Sequence, residues 1–214
     1  MHERPPMTLP RLLAGALSLA ALIAPAALTG CVEDREGVPG DTAAEAATHG
    51  EAMGAALAAQ AEHEPMPAAL AHLGAILLAL DRGELAQSAI ALDRVDDPIV
   101  FDYAALMSTR HAAHAAEMEA LLADRGISPL TGSLSTMLRA EARADEDELK
   151  LTPRRELAFT YMRLQVKVHA AGDVLLSRLS AIAPDDEPLR ALLASTRDAV
   201  VAHRLQAEAI LRAR

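Results

Sequence analysis

Apolar side chains returning every three or four positions constrain this chain more than any other feature. Leu73, Leu77, Leu80, Glu84, Gln87 and Ala91 share one stripe of a helix that turns every 3.6 residues. A second stripe runs through Tyr103, Met107, His111, His114, Met118 and Leu121. A third holds Leu157, Tyr161, Leu164, Val168, Leu175, Leu179 and Ile182, and a fourth Leu189, Leu192, Leu193, Thr196, Val200, His203, Ala207 and Ile210. Asp96-Asp97-Pro98, Gly126 with Pro129, and Pro184-Asp185-Asp186 supply the stops between them. Composition agrees: the chain has two Phe, two Tyr and no Trp, so the residues that favour strands are scarce while Ala and Leu abound. The expectation is an all-α antiparallel four-helix bundle. Between the second and third stripes, Leu134, Met137 and Leu138 offer room for a short helix ahead of the acidic run Glu146-Asp147-Glu148. Thr152-Pro153 reads as the N-cap and first-turn proline of the third long helix.

The N-terminus is of another kind. A short basic region ends at Arg11, an apolar run follows from Leu12 to Ala24, and small residues come next. That layout is a secretory signal, and the run, broken by Pro25, is short for a bilayer crossing. Leu28-Thr29-Gly30-Cys31 then resembles the lipobox of bacterial lipoproteins, in which the chain is cut before the cysteine and its thiol is acylated. Cys31 is the one cysteine in the chain, so no intramolecular disulfide forms. The resemblance implies anchorage to a lipid bilayer through acylated Cys31. Val32 in place of aspartate points to the outer membrane, with the domain in the periplasm. The expected organisation is therefore a signal peptide at 1–30, lipidated cysteine and flexible tether at 31–63, and the bundle at 64–214.

Charge excludes one large class of function. The chain carries a net −10; residues 1–30 hold Glu3, Arg4 and Arg11, a net +1, which leaves −11 for the remainder. Such a surface repels phosphate backbones, and no basic stripe with interleaved aromatics offsets it. Nucleic acid is not an expected partner, and the sequence names no protein partner. Catalytic patterns are also missing: no glycine-rich phosphate loop, no Gly-x-Ser-x-Gly turn, and a cysteine committed to lipid. The reading leans away from an enzyme.

Against that background the polar residues on apolar stripes stand out. Glu84, His111, His114 and His203 lie on the stripes, and His169 lies at the edge of the third. Facing helices of a bundle converge side chains on one point, and imidazole with carboxylate suits zinc, iron, nickel or copper. Each of these residues alone reads as a hydrogen-bonded core group. As a set, Glu84, His111, His114, His169 and His203 are candidate ligands for a divalent transition metal. A carboxylate-bridged di-iron centre is disfavoured, because it needs Glu-x-x-His on two helices.

The ordered pieces resemble one family. They are Gly83-Glu84-Leu85-Ala86, the stretch Val100–His111, the stretch Tyr161–His169, and Val201-Ala202-His203. Their order and spacing are similar to the domain-of-unknown-function 4142 family of exported bacterial proteins, over about residues 66–212. The resemblance implies a ferritin-like helical bundle and no defined activity. The chain departs from the family pattern at Arg110, where an acidic residue is usual, and at Leu157-Ala158, where Phe-Asp is usual; both departures remove carboxylates near the histidines. Two functional readings follow. The first is a lipid-anchored envelope protein with a non-catalytic role in binding, envelope maintenance or stress tolerance. The second is a metal-binding or metal-redox bundle built on the core histidines and Glu84.

Overall fold

The computed structural model describes residues 43–52, 55, 66–183 and 185–214. The signal segment 1–30, Cys31 and most of the expected tether lie outside the described residues. From residue 66 the chain forms α1 (Met66–Arg94), α2 (Pro98–Ala123), α3 (Ser133–Leu151), α4 (Arg154–Ile182) and α5 (Glu187–Arg212). Residues 43–52 are helical as well, and no strand occurs among the described residues. The class is all-α. None of these helices is long and apolar enough to cross a membrane.

The expected stops separate α1 from α2, end α2, and separate α4 from α5. Asp97 caps α2 by accepting hydrogen bonds from the backbone of Ile99 and Val100 at 2.9 and 3.1 Å. Asp186 caps α5 through Leu189 N at 3.0 Å. Each cap satisfies amide donors that the first helical turn leaves without a carbonyl. Gly126, at φ 64°, follows α2 in the left-handed conformation that glycine adopts without strain. Arg125 beside it grips the Asp186 carboxylate at 2.7 and 2.8 Å, which ties the loop after α2 to the start of α5.

Two segments differ from the sequence reading. α3 runs for 19 residues, so the acidic run lies inside a helix rather than after one. The reason is amphipathicity: Leu134, Leu138 and Leu149 are buried on one face, while Lys150 pairs with Glu146 at 3.1 Å on the other. Thr152 closes α3 instead of opening α4, and its hydroxyl donates to the Glu148 carbonyl at 2.7 Å. Arg94 from α1 covers the same terminus, donating to the carbonyls of Leu149 and Thr152 at 2.6 and 2.8 Å, where a cation is favoured by the helix dipole. The second difference concerns residues 43–52, assigned to the tether from sequence. They pack down on the bundle, with Ala46 buried and His49 bonded to Glu141 of α3 at 2.7 Å. Gly50 permits that approach, since a Cβ there would stand 2.6 Å from the Ala171 carbonyl oxygen of α4.

α1 packs most extensively on α2 and α3, and α4 on α5. The core they share has two apolar ends. One is leucine-rich, with Leu77, Leu122, Leu175, Leu179 and Leu193. The other carries Tyr103, Met107, Leu157, Tyr161 and Met162. Between them lies a polar layer: Asp81, Glu84, Gln87 and Ser88 of α1, with Gln165 and His169 of α4 and His203 of α5, all buried.

Candidate metal centre

The polar layer follows from helical periodicity. Asp81, Glu84 and Ser88 sit three and four apart, which puts them on one face of α1. His111 and His114 are likewise one turn apart on α2, and Gln165 and His169 on α4. Because these helices face one another, the same turn of each contributes to one slab.

His111, His169 and His203 meet there. One ring nitrogen from each lies within 4.8 Å of the other two. Ring centroids are 5.8 Å apart for His111–His169, 6.0 Å for His111–His203 and 5.4 Å for His169–His203. Hydrogen bonding fixes which nitrogens are free. His169 Nδ1 lies 2.8 Å from the Gln165 carbonyl; a carbonyl only accepts, so Nδ1 carries the proton and Nε2 presents a lone pair. His111 Nδ1 lies 3.0 Å from an Asp81 carboxylate oxygen, which imposes the same tautomer on a neutral His111. His111 Nε2, His169 Nε2 and His203 Nδ1 are buried with no hydrogen-bond partner in the protein. Leaving such a group unsatisfied costs about 1–3 kcal/mol each, and the cost falls on one nitrogen of each of the three converging rings.

The remaining sequence candidates lie around this point. His114 turns away from it: Nδ1 bonds the second oxygen of Asp81 at 2.7 Å, and Nε2 meets the Thr196 hydroxyl at 2.7 Å. Glu84 is buried, and its carboxylate accepts from Gln165 Nε2 at 2.9 Å. Asp81, Gln165 and Thr196 were not singled out from sequence. Asp81 was legible as an acid four positions after Leu77 and three before Glu84, on the same stripe.

Electrostatics sort the imidazoles. Burial pushes His169 down to about 3, with the nearby His111 charge acting in the same direction. Burial also lowers His203 to about 4, aided by His169, His111 and Arg110. Both are therefore neutral, the form that binds metal. His111 departs upward, because Asp81 and Glu84 together outweigh its burial. Burial favours the neutral acid at Asp81, yet hydrogen bonds from His111 and His114 hold its carboxyl below the usual range. Glu84 goes the other way: burial raises it, against the opposing pull of His111 and Gln165.

The donor set fits a transition metal. Three imidazole nitrogens from three helices leave a fourth position open, and bonds of about 2.0–2.1 Å would draw the rings further together. Two of the histidines have their second nitrogen anchored, one by a carboxylate and one by a backbone carbonyl, as metal-bound histidines usually do.

An all-helical bundle with three histidines converging in its core is thus the class that fold and site define. The chain belongs to the family described as domain of unknown function (DUF4142), whose model matches residues 53–210. No curated protein and no solved structure gave a match.

Proposed function

We propose that this protein is an exported, lipid-anchored component of the bacterial cell envelope whose bundle binds one divalent first-row transition metal ion through His111, His169 and His203. One observation carries the metal reading: one ring nitrogen from each of three histidines lies within 4.8 Å of the other two, and each of the three rings has a buried nitrogen without a partner. Asp81 supplies negative charge behind His111, and Glu84 lies buried in the same layer. The role is binding rather than turnover, in keeping with a sequence that carries no nucleophile motif. The lipid anchor rests on the Leu28-Thr29-Gly30-Cys31 motif behind an apolar run.

Elemental analysis of untagged protein, dialysed against zinc or copper and then against weak chelator, tests the metal reading. Wild type is expected to hold one equivalent, and His111→Ala/His203→Ala none. Saturation at about a thousandfold over Kd should stabilise wild type by about 4 kcal/mol and leave the double variant unchanged. Equal metal content in both proteins, with no shift in Tm, would overturn it. For the anchor, cells given an alkyne-tagged palmitate should label wild type and not Cys31→Ser; labelling of both removes that half of the proposal.

A further inference from the structure

A cavity of about 320 Å³ lies against the histidine cluster, within the range of small-molecule sites. Its floor is polar, where His111, His169 and Glu84 border it. Its walls are apolar, formed by Leu77, Leu138, Leu175 and Leu176. Small residues keep it open: Gly83, Ala142, Ala171 and Gly172 line it, and even a methyl group at Gly172 would make only an ordinary contact, 3.5 Å from Val200. The helix at 43–52 borders it through Ala46 and His49. Interiors of folded domains are otherwise filled to crystal density, so a leucine-walled space ending on His111 and His169 of the cluster is an exception with a direction.

Charge at its edge narrows what enters. Lys167 is held by Asp145 at 2.7 Å, Arg163 by Glu148, and His49 by Glu141 at 2.7 Å. Each of these basic side chains already has its carboxylate, while Glu45 adds a further acid to the lining. An anionic ligand would meet like charge; an uncharged or weakly basic one would not. The ion has an approach of its own, because a second cavity of about 160 Å³, bordered by Arg110, Thr196, His111 and His203, reaches the cluster as well.

We propose that the larger cavity binds an uncharged or weakly basic organic molecule. Its apolar body lies among the leucines, and its nitrogen, oxygen or sulfur donor takes the coordination position the three histidines leave open. This inference rests on the metal reading and extends it to a ligand class.

The test loads the full-length chain with cobalt(II), whose visible absorption reports its coordination, and titrates in imidazole, 4-phenylimidazole and 3-phenylpropanoate. 4-Phenylimidazole should shift the bands at concentrations about tenfold below imidazole, since burying a phenyl ring contributes at least that factor. The carboxylate should not bind in the same range. Ala142→Trp and Ala171→Leu, on different helices and at half-buried positions, should each abolish the phenyl preference while keeping cobalt stoichiometry and a cooperative melt. Failure of both variants to fold would leave the wild-type comparison to decide. Cobalt uptake with equal affinity for the two imidazoles overturns this inference alone, as does 4-phenylimidazole binding equally well to metal-free protein. Absence of cobalt uptake overturns the metal reading and this one with it.

Discussion

The leucine-rich end of the core and the polar layer beside it are both buried, yet they obey different rules. At the leucine-rich end the packed side chains are apolar, so burial itself is the stabilising term, about 25 cal/mol per Å² removed from water. Nothing there asks for a further partner. In the polar layer, burial is a cost that hydrogen bonds must offset, and they offset it only partly. Ser88 meets the Tyr161 hydroxyl at 3.1 Å, Gln165 reaches both Glu84 and Gln87, and Asp81 holds two histidines. Three imidazole nitrogens and Gln165 Oε1 remain without partners. A bundle selected for stability alone would place leucines there. The difference teaches that the layer carries hydrogen-bonding capacity the protein itself leaves unmet, which is the capacity the proposed metal ion would use.

Truncation should expose this contrast most strongly at the apolar end. Leu179 is fully buried in the leucine-rich cluster, and Leu179→Ala should cost about 2–5 kcal/mol of unfolding free energy, read by denaturant melts. Metal bound per folded molecule should not change. A loss of metal in step with stability would mean that the two regions are not separable. In the polar layer the ranking reverses. Asp81→Asn keeps the shape of the side chain but removes the carboxylate behind His111 and His114. Metal affinity should fall about 10–100-fold, measured by competition with a chromophoric chelator, with a much smaller change in stability. Unchanged affinity would show that Asp81 merely fills space.

Most of the fold was legible, because helix formation and apolar stripes are local properties. The stops at Pro98, Gly126 and Asp186 were legible for the same reason, since each acts on its own turn of backbone. What the sequence concealed was tertiary. α3 looked too polar and too short for a full helix; only its docking on α1 shows that Leu134, Leu138 and Leu149 suffice to seat it. Docking of residues 43–52 against α3 and α4 depends on Gly50 meeting a carbonyl more than a hundred positions away. In the site, the spacing of His111 and His114 put both on one face but left the aim of each ring open. Side-chain torsions decide that, and His114 is drawn to Thr196 across 82 positions. His169, at the edge of its stripe, is buried against His111 of α2 and His203 of α5, contacts that no local spacing reveals.

The smallest expected effect is the most discriminating. In metal-free protein at pH 7, His169→Leu should change stability by about 1 kcal/mol or less, since the loss of packing shape is offset by removing an unsatisfied buried nitrogen. Acid should then separate the two proteins. His169 has a folded value of about 3, against an ordinary unfolded value near 6.5. As pH falls through that unfolded value, the unfolded wild-type chain takes up a proton that the folded one refuses, so stability is lost with acidity. His203 adds to this slope in both proteins, and His111, which Asp81 and Glu84 raise despite its burial, works against it in both, so the comparison isolates His169. The leucine variant lacks the His169 contribution, so its stability relative to wild type should improve between pH 7 and pH 5. Guanidinium melts at the two pH values measure it directly. A difference that stays constant would mean the His169 ring is open to protonation where it stands, which is incompatible with a dry pocket that keeps this imidazole neutral and ready for metal.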